Sequence, residues 1–144
     1  MKTLISGHRQ HKLEKYSIGW ITDAIESVVL LCPHLVGLSG MADGIDLIYC
    51  EILLKHGMGY QCYLPFEGQE DYMSAEDKVR RQGLIDKAWV TCKAKNSKMV
   101  EDCESGIIVW DGNKGGTHNV FQQMLENKKP FFWIEPHNQK IIQF

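Results

Sequence analysis

Short apolar runs alternate along the chain with longer stretches in which apolar residues recur every three or four positions. The runs are Thr3-Leu4-Ile5, His34-Leu35-Val36-Gly37-Leu38, Gly59-Tyr60-Gln61-Cys62-Tyr63-Leu64, Ala88-Trp89-Val90-Thr91, Ile107-Ile108-Val109-Trp110 and Phe131-Phe132-Trp133-Ile134, all of strand length. Between them Ile18, Ile21, Ile25, Val28 and Val29 keep helical spacing, with Pro33 soon after. Ile45, Ile48, Tyr49, Ile52 and Leu53 form a second helical set. Ser74, with Asp77 three residues on, caps a helix over about Ala75 to Lys87. Met99, Val100 and Cys103 mark a short helix, and Val120, Phe121, Met124 and Leu125 a longer one from Thr117 to Asn127. Strands that alternate with helices predict βαβ units, and so a mainly parallel sheet in a three-layer α/β/α, Rossmann-like domain. No linker, repeat or low-complexity tract divides the sequence, and residues 1–144 are expected to form one domain. The tail Lys140-Ile141-Ile142-Gln143-Phe144 fits either an extra edge strand or a segment packed on a partner.

Composition narrows the function classes. With 144 residues, 44% of them hydrophobic, the chain can bury a substantial core. A formal charge of −2 argues against a protein that works by broad neutralisation of a nucleic-acid backbone. No apolar run approaches the ~20 residues of a membrane span, and Met1 to Gly7 reads as a first strand rather than a secretory signal. The five cysteines, Cys32, Cys50, Cys62, Cys92 and Cys103, lack C-x-x-C spacing and sit mostly among apolar residues, as reduced thiols in a cytoplasmic protein do. The six histidines lack metal-site spacing, so neither a metal nor a cofactor is expected.

The candidate chemistry lies where three of the strands end. Thr3-Leu4-Ile5 runs into Ser6-Gly7-His8-Arg9, and Val36-Gly37-Leu38 into Ser39-Gly40-Met41-Ala42-Asp43-Gly44. Val109-Trp110 runs into Asp111-Gly112-Asn113-Lys114-Gly115-Gly116-Thr117 at the start of the last helix. Helix starts present unpaired N–H groups and the positive end of the helix dipole, and glycine lets an anion approach the backbone. Three strands with the same ending favour a phosphate-bearing small molecule, bound beyond the carboxyl edge of a parallel sheet.

The order of these motifs resembles the YpsA-like branch of the SLOG superfamily. The segments that carry the resemblance are Ser6-Gly7-His8-Arg9, Ser39-Gly40-Met41-Ala42-Asp43-Gly44-Ile45-Asp46, Pro65-Phe66-Glu67-Gly68-Gln69-Glu70, Asn96-x-x-Met99-Val100 and Trp110-Asp111-Gly112-x-x-Gly115-Gly116-Thr117. The resemblance covers nearly the whole chain, from about residue 3 to residue 136. That superfamily unites the DNA-uptake protein DprA (SMF), the LOG cytokinin-activating enzymes and related Rossmann-like domains. The resemblance implies binding of a nucleotide or nucleotide-derived molecule, within a homodimer or higher homo-oligomer. LOG-type phosphoribohydrolases carry Pro-Gly-Gly-x-Gly-Thr-x-x-Glu with a catalytic final glutamate. Here Val120 stands at that position, and a catalytic carboxylate would have to come from elsewhere, such as Glu67, Asp46 or Asp111.

Several residues keep two readings. Arg9 offers a bidentate fork for phosphate or pairs with a nearby acid. His8 contacts ligand or satisfies a backbone carbonyl, Asp43 caps the helix that follows or lines the site with Gly44, and Asp46 accepts from a ribose or from a loop. Phe66 stacks on a base or tucks into the core, while Glu67 or Gln69 reads a polar edge or remains on an acidic surface loop. Of Arg80 and Arg81, one points to a phosphate and the other stays solvated. The expected ligand-binding set is Gly7, His8, Arg9, Ser39, Gly40, Asp43, Gly44, Phe66, Glu67, Asp111, Gly115, Gly116 and Thr117. The leading function is a sensor or sequestering domain for a nucleotide-like ligand. Nucleotide N-glycosidase or ribosyl-transfer chemistry is the alternative, and DprA-like binding of single-stranded DNA ranks third.

Overall fold

A computed structural model describes residues 1–144. Seven strands form one sheet: β1 (Lys2–Gly7), β2 (Val36–Ser39), β3 (Tyr60–Leu64), β4 (Val90–Lys93), β5 (Ser105–Val109), β6 (Phe131–Glu135) and β7 (Lys140–Gln143). Their spatial order is β4-β3-β2-β1-β5-β6-β7. Every pairing is parallel except β6 with β7, so the tail is an antiparallel edge strand. The helices are α1 (Gln10–Leu13), α2 (Ile18–Val29), α3 (Ile45–Lys55), α4 (Ala75–Asp86), α5 (Asn96–Asp102) and α6 (Gly116–Glu126), with a 3-10 turn at Gln69–Tyr72. The α/β/α architecture matches the sequence expectation, with strand and helix ends shifted by one or two residues.

The three layers follow from alternation along the central strands, whose successive side chains point to opposite faces. Ile5, Ile107 and Val109 join the cluster under α2, α3 and α4, with Ile21, Ile25, Tyr49 and Leu84. Leu4, Leu38 and Ile108 join the opposite cluster under α5 and α6, with Met99, Val120, Phe121 and Met124. Burial on both faces explains why these strands read as unbroken apolar runs.

β1 is flanked by β2 on one side and β5 on the other. Chain order therefore runs outward from β1 in both directions, and the loops that leave β1, β2 and β5 diverge beyond their carboxyl ends. Open α/β sheets hold ligands at this kind of reversal.

Two glycines set how closely these loops approach. A Cβ on Gly7 would lie 2.5 Å from the Ile45 side chain, so glycine there lets α3 pack on the end of β1. Gly44 has φ +88°, and a Cβ on it would stand 2.6 Å from the His8 carbonyl oxygen. Gly44→Ala should destabilise the fold by about 2 kcal/mol or more, through left-handed strain plus a backbone clash. Gly83 in α4 has no neighbour within 4 Å of its Cβ site. Gly83→Ala should add ~0.5–1 kcal/mol, so urea unfolding of the two variants should move in opposite directions.

Candidate functional site

A cavity of about 480 Å³ opens at the carboxyl end of the sheet. β1 and the segment after it supply Ser6, Gly7, His8, Arg9, His11 and Lys12, and the loop after β2 supplies Gly40 and Ala42. Asp46 comes from the first turn of α3, and Phe66 from the loop after β3. Asn96 begins α5, while Asn113 to Thr117 arrive from β5 into α6. The three glycine turns thus meet at one end of the sheet, as the repeated strand endings predict.

The turn before α6 is built to stay open. The Asp111 carboxylate accepts from the Asn113 N–H at 3.0 Å, and Trp110 Nε1 donates to the Asn113 carbonyl at 2.6 Å. These bonds fold the chain back at Gly112, whose φ is +88°. Gly115, the N-cap, has φ 155° and ψ −168°, a conformation almost confined to glycine. No side chain caps α6, and a Cβ on Gly116 would meet nothing within 4 Å. Lys12 Nζ lies 3.9 Å from the Cβ site of Gly115. Neither Lys12 nor Lys114 forms a salt bridge within the chain, so both leave free positive charge beside the uncapped helix start.

The opposite wall is a wired loop. Met41 holds φ 58°, uncommon for a residue with a side chain. Ser39 is fully buried: its Oγ donates to the Asp46 carbonyl at 3.2 Å and accepts from the Met41 N–H at 3.2 Å. Gln69 Nε2 donates to the Gly40 carbonyl at 2.9 Å and Gln69 Oε1 accepts from Arg81 at 2.9 Å, while Arg81 Nε donates to the Met41 carbonyl at 3.1 Å. Asp46 Oδ2 accepts from the Ala42 N–H at 3.1 Å. Burial raises the Asp46 carboxyl to about pH 7, with the Asp43 charge adding to the rise and the Ala42 bond opposing it.

Of the residues expected from sequence, Gly7, His8, Arg9, Gly40, Phe66, Gly115, Gly116, Thr117 and Asp46 line the cavity. Ser39, Asp43, Gly44, Glu67 and Asp111 do not, each for a physical reason. Ser39 is spent on the loop. Asp43 accepts from Arg9 Nε at 2.8 Å instead of capping α3, whose N-cap is Gly44. The Glu67 side chain is 91% exposed and stands 3.5 Å from Lys93 Nζ, over a separate shallow groove. Asp111 accepts from the Tyr16 hydroxyl at 2.8 Å, and its own N–H donates to His8 Nε2 at 3.2 Å. Burial works against Asp111 ionisation, but the bonds from the Asn113 N–H and the Tyr16 hydroxyl outweigh it and hold the carboxyl below its usual range. Burial, with Lys12 and Lys15 nearby, lowers His8 despite Asp111, so the neutral ring accepts at Nε2.

Phe66 is 60% exposed at the cavity mouth rather than in the core. Neither Arg80 nor Arg81 enters the cavity. Arg80 pairs with Glu51 and Asp77, and Arg81 is buried in the loop network. Sequence reasoning did not single out His11, Lys12, Asn113 or Lys114. The spacing of Lys12 after the Ser6-Gly7-His8-Arg9 turn was the available signal, and the four-residue α1 that carries it is too short to show periodicity.

Among solved structures, the fold is similar to DNA processing protein A (DprA) from Streptococcus pneumoniae, with a TM-score of 0.64 and 16% identity. The match covers 92% of this chain and 49% of that one, so the chain spans about half of the protein it matches. No protein-family model matches the sequence, and no curated protein does.

The buried carboxyl gives a pH signature. Unfolded, Asp46 ionises near pH 3.8; folded, it holds its proton to about pH 7. Over that window the unfolded state binds fewer protons, so the residue's contribution to stability falls as pH rises and levels off above it. Asp46→Asn should be near neutral at pH 4 and more stable than wild type at pH 8, by about 4 kcal/mol at most. Chemical denaturation at the two pH values measures the difference.

Proposed function

We propose that this chain is a SLOG-superfamily domain of the YpsA-like branch that binds a nucleotide or nucleotide-derived small molecule, in a sensing or sequestering role in the cytoplasm. Its phosphate rests on Gly115-Gly116-Thr117. The observation that carries the reading is the start of α6, uncapped and open at Gly116, facing a cavity with Lys12, Lys114 and Arg9 on its walls. The N–H groups and helix dipole contribute attraction of ~0.3–1 kcal/mol, and a charge-assisted bond from a guanidinium ~1.5–3 kcal/mol more. Arg9 uses Nε for Asp43, which leaves its terminal nitrogens for an anion. The motif order supports the branch and the glycine turns support the ligand class.

An N-glycosidase reading has one observation in its favour. Asp46 is a carboxyl in the cavity that changes charge near neutral pH, as a general acid–base group does. Of the other candidates, Glu67 faces solvent away from the cavity, and Asp111 is bonded to Tyr16 and the Asn113 N–H outside its lining. A DNA-related reading draws on the structural neighbour, named for DNA processing, but the chain's formal charge of −2 weighs against broad backbone binding. Residues 1–144 act as one domain in this proposal. Self-association as a homodimer or higher homo-oligomer is part of it too, and the exposed Trp89 and Val90 at the β4 edge are available for it.

Calorimetry with a panel of nucleoside mono- and diphosphates, followed by chromatography for free base, tests the proposal. Micromolar or tighter binding with intact ligand is expected. Gly116→Leu should weaken binding at least about tenfold, by filling the phosphate position, while the melting temperature holds. Retained affinity in folded Gly116→Leu would contradict the phosphate cradle. Multiple-turnover base release lost in Asp46→Asn would favour the enzyme, and a salt-sensitive shift of single-stranded DNA the third reading.

A further inference from the structure

The cavity draws its charged groups from different elements. Lys12 and Lys114 flank the glycine turn before α6, while the single carboxyl in the lining, Asp46, stands on the first turn of α3. Asp46 is only 9% exposed. Its Oδ2 is held by the Ala42 N–H, but Oδ1 has no hydrogen-bond partner within the chain. No buried side-chain oxygen or nitrogen lacks a partner while sealed from solvent, so Oδ1 reaches the cavity space. The wall around it is fixed: Gln69 and Arg81 spend their polar atoms on the loop backbone and on each other, and a Cβ on Gly40 would sit 3.3 Å from Asp46 Oδ2. An oxygen that is open, rigidly aimed and costly to desolvate is a recognition group for hydrogen-bond donors.

Distance selects which donors. The turn before α6 follows β5, and α3 follows β2, with β1 between them. Two interstrand steps set the carboxyl ends of β2 and β5 ~10 Å apart, a scale that suits a sugar phosphate with its hydrogen bonds. Once ionised, above about pH 7, Asp46 repels phosphate, and even when protonated it adds no positive charge to attract one, which leaves the sugar for the Asp46 end.

We propose that Asp46 is the specificity-determining residue for the sugar, its free oxygen accepting hydrogen bonds from the ribose hydroxyls of a 5′-phosphorylated ligand, so that the site takes ribo- and rejects 2′-deoxyribo-compounds. The proposal rests on the phosphate reading above. Asn96, on the neighbouring stretch of wall, makes no hydrogen bond within the chain through its side-chain amide and borders the same space. The base then projects toward the mouth, where exposed Phe66 offers a face for stacking. A site built to bond a hydroxyl discriminates strongly against the analogue that lacks it, because its polar atom is left unpaired.

The test is calorimetry on the full chain with the four ribonucleoside 5′-monophosphates, their 2′-deoxy counterparts and ribose 5-phosphate. Wild type should prefer each ribonucleotide over its deoxy partner by at least roughly tenfold, whatever the base. In Asp46→Asn, which keeps an acceptor for the Ala42 N–H, that preference should fall to within about threefold, with the deoxy compounds bound as by wild type. Equal affinity for ribo- and deoxy-compounds in wild type, or an unchanged preference in folded Asp46→Asn, would overturn the assignment. Discrimination by base instead of sugar, lost in Asp46→Asn, would overturn it in favour of base reading. Failure of wild type to bind any of these probes would overturn the phosphate reading and this one with it. Binding of the deoxy compounds that Gly116→Leu removes, without sugar preference, would overturn this one alone.

Discussion

The cavity depends on how closely the turn after β2 can settle on the turn after β1. The Ile45 N–H donates to the His8 carbonyl at 3.3 Å, and Gly44 passes within contact of that same oxygen. Any side chain at 44, or at 7 beneath Ile45, would hold α3 away from β1. Asp46 rides on the first turn of α3, so its position in the cavity is set by this contact. His8, whose backbone receives α3, accepts through its ring from the Asp111 N–H and so ties in the turn after β5. One glycine contact and one histidine therefore join the three loops that build the walls.

The energetics of the cavity run against stability. Asp46 buries a carboxyl whose ionised form the fold disfavours, Met41 holds a left-handed backbone, and the first N–H groups of α6 go without a cap. Costs of this kind gather where a ligand later offsets them. Lysines without an acidic partner flank the helix start, while Asp46, the single carboxyl in the lining, comes from the first turn of α3. Arg81, by contrast, is fully engaged inside the loop and serves the shape of the site.

Much of this was legible in the sequence. The alternation of apolar runs with helical spacing gave the parallel sheet, because burial on both faces leaves strands almost wholly apolar. The glycine turns were legible because their chemistry is local, as at Gly115, where the backbone conformation suits little else. Partnerships between distant residues were not. Nothing in the sequence marks Arg80 as paired with Glu51 and Arg81 as buried against Met41 and Gln69. Asp43 sits where a cap belongs, but the nearness of Arg9, 34 residues earlier, redirects it. Glu67 and Phe66 lie in a loop whose side chains are sorted by the neighbouring β4 and 3-10 turn, so sequence alone could not tell which faced the cavity. The tail became an edge strand because β6 presents an unpaired edge with Trp133 and Phe131 beside Phe144.

In the proposed function, anionic ligands are held by the backbone at the start of α6. Amide chemical shifts recorded by NMR while inorganic phosphate and then adenosine 5′-monophosphate are added test it most directly. The largest shifts are expected at the N–H groups of Gly115, Gly116, Thr117 and His118, saturating with both additions, with Asp46 and Ala42 responding to the nucleotide alone. Shifts confined to the β4 edge or scattered over surface lysines, with the start of α6 unmoved, would contradict it.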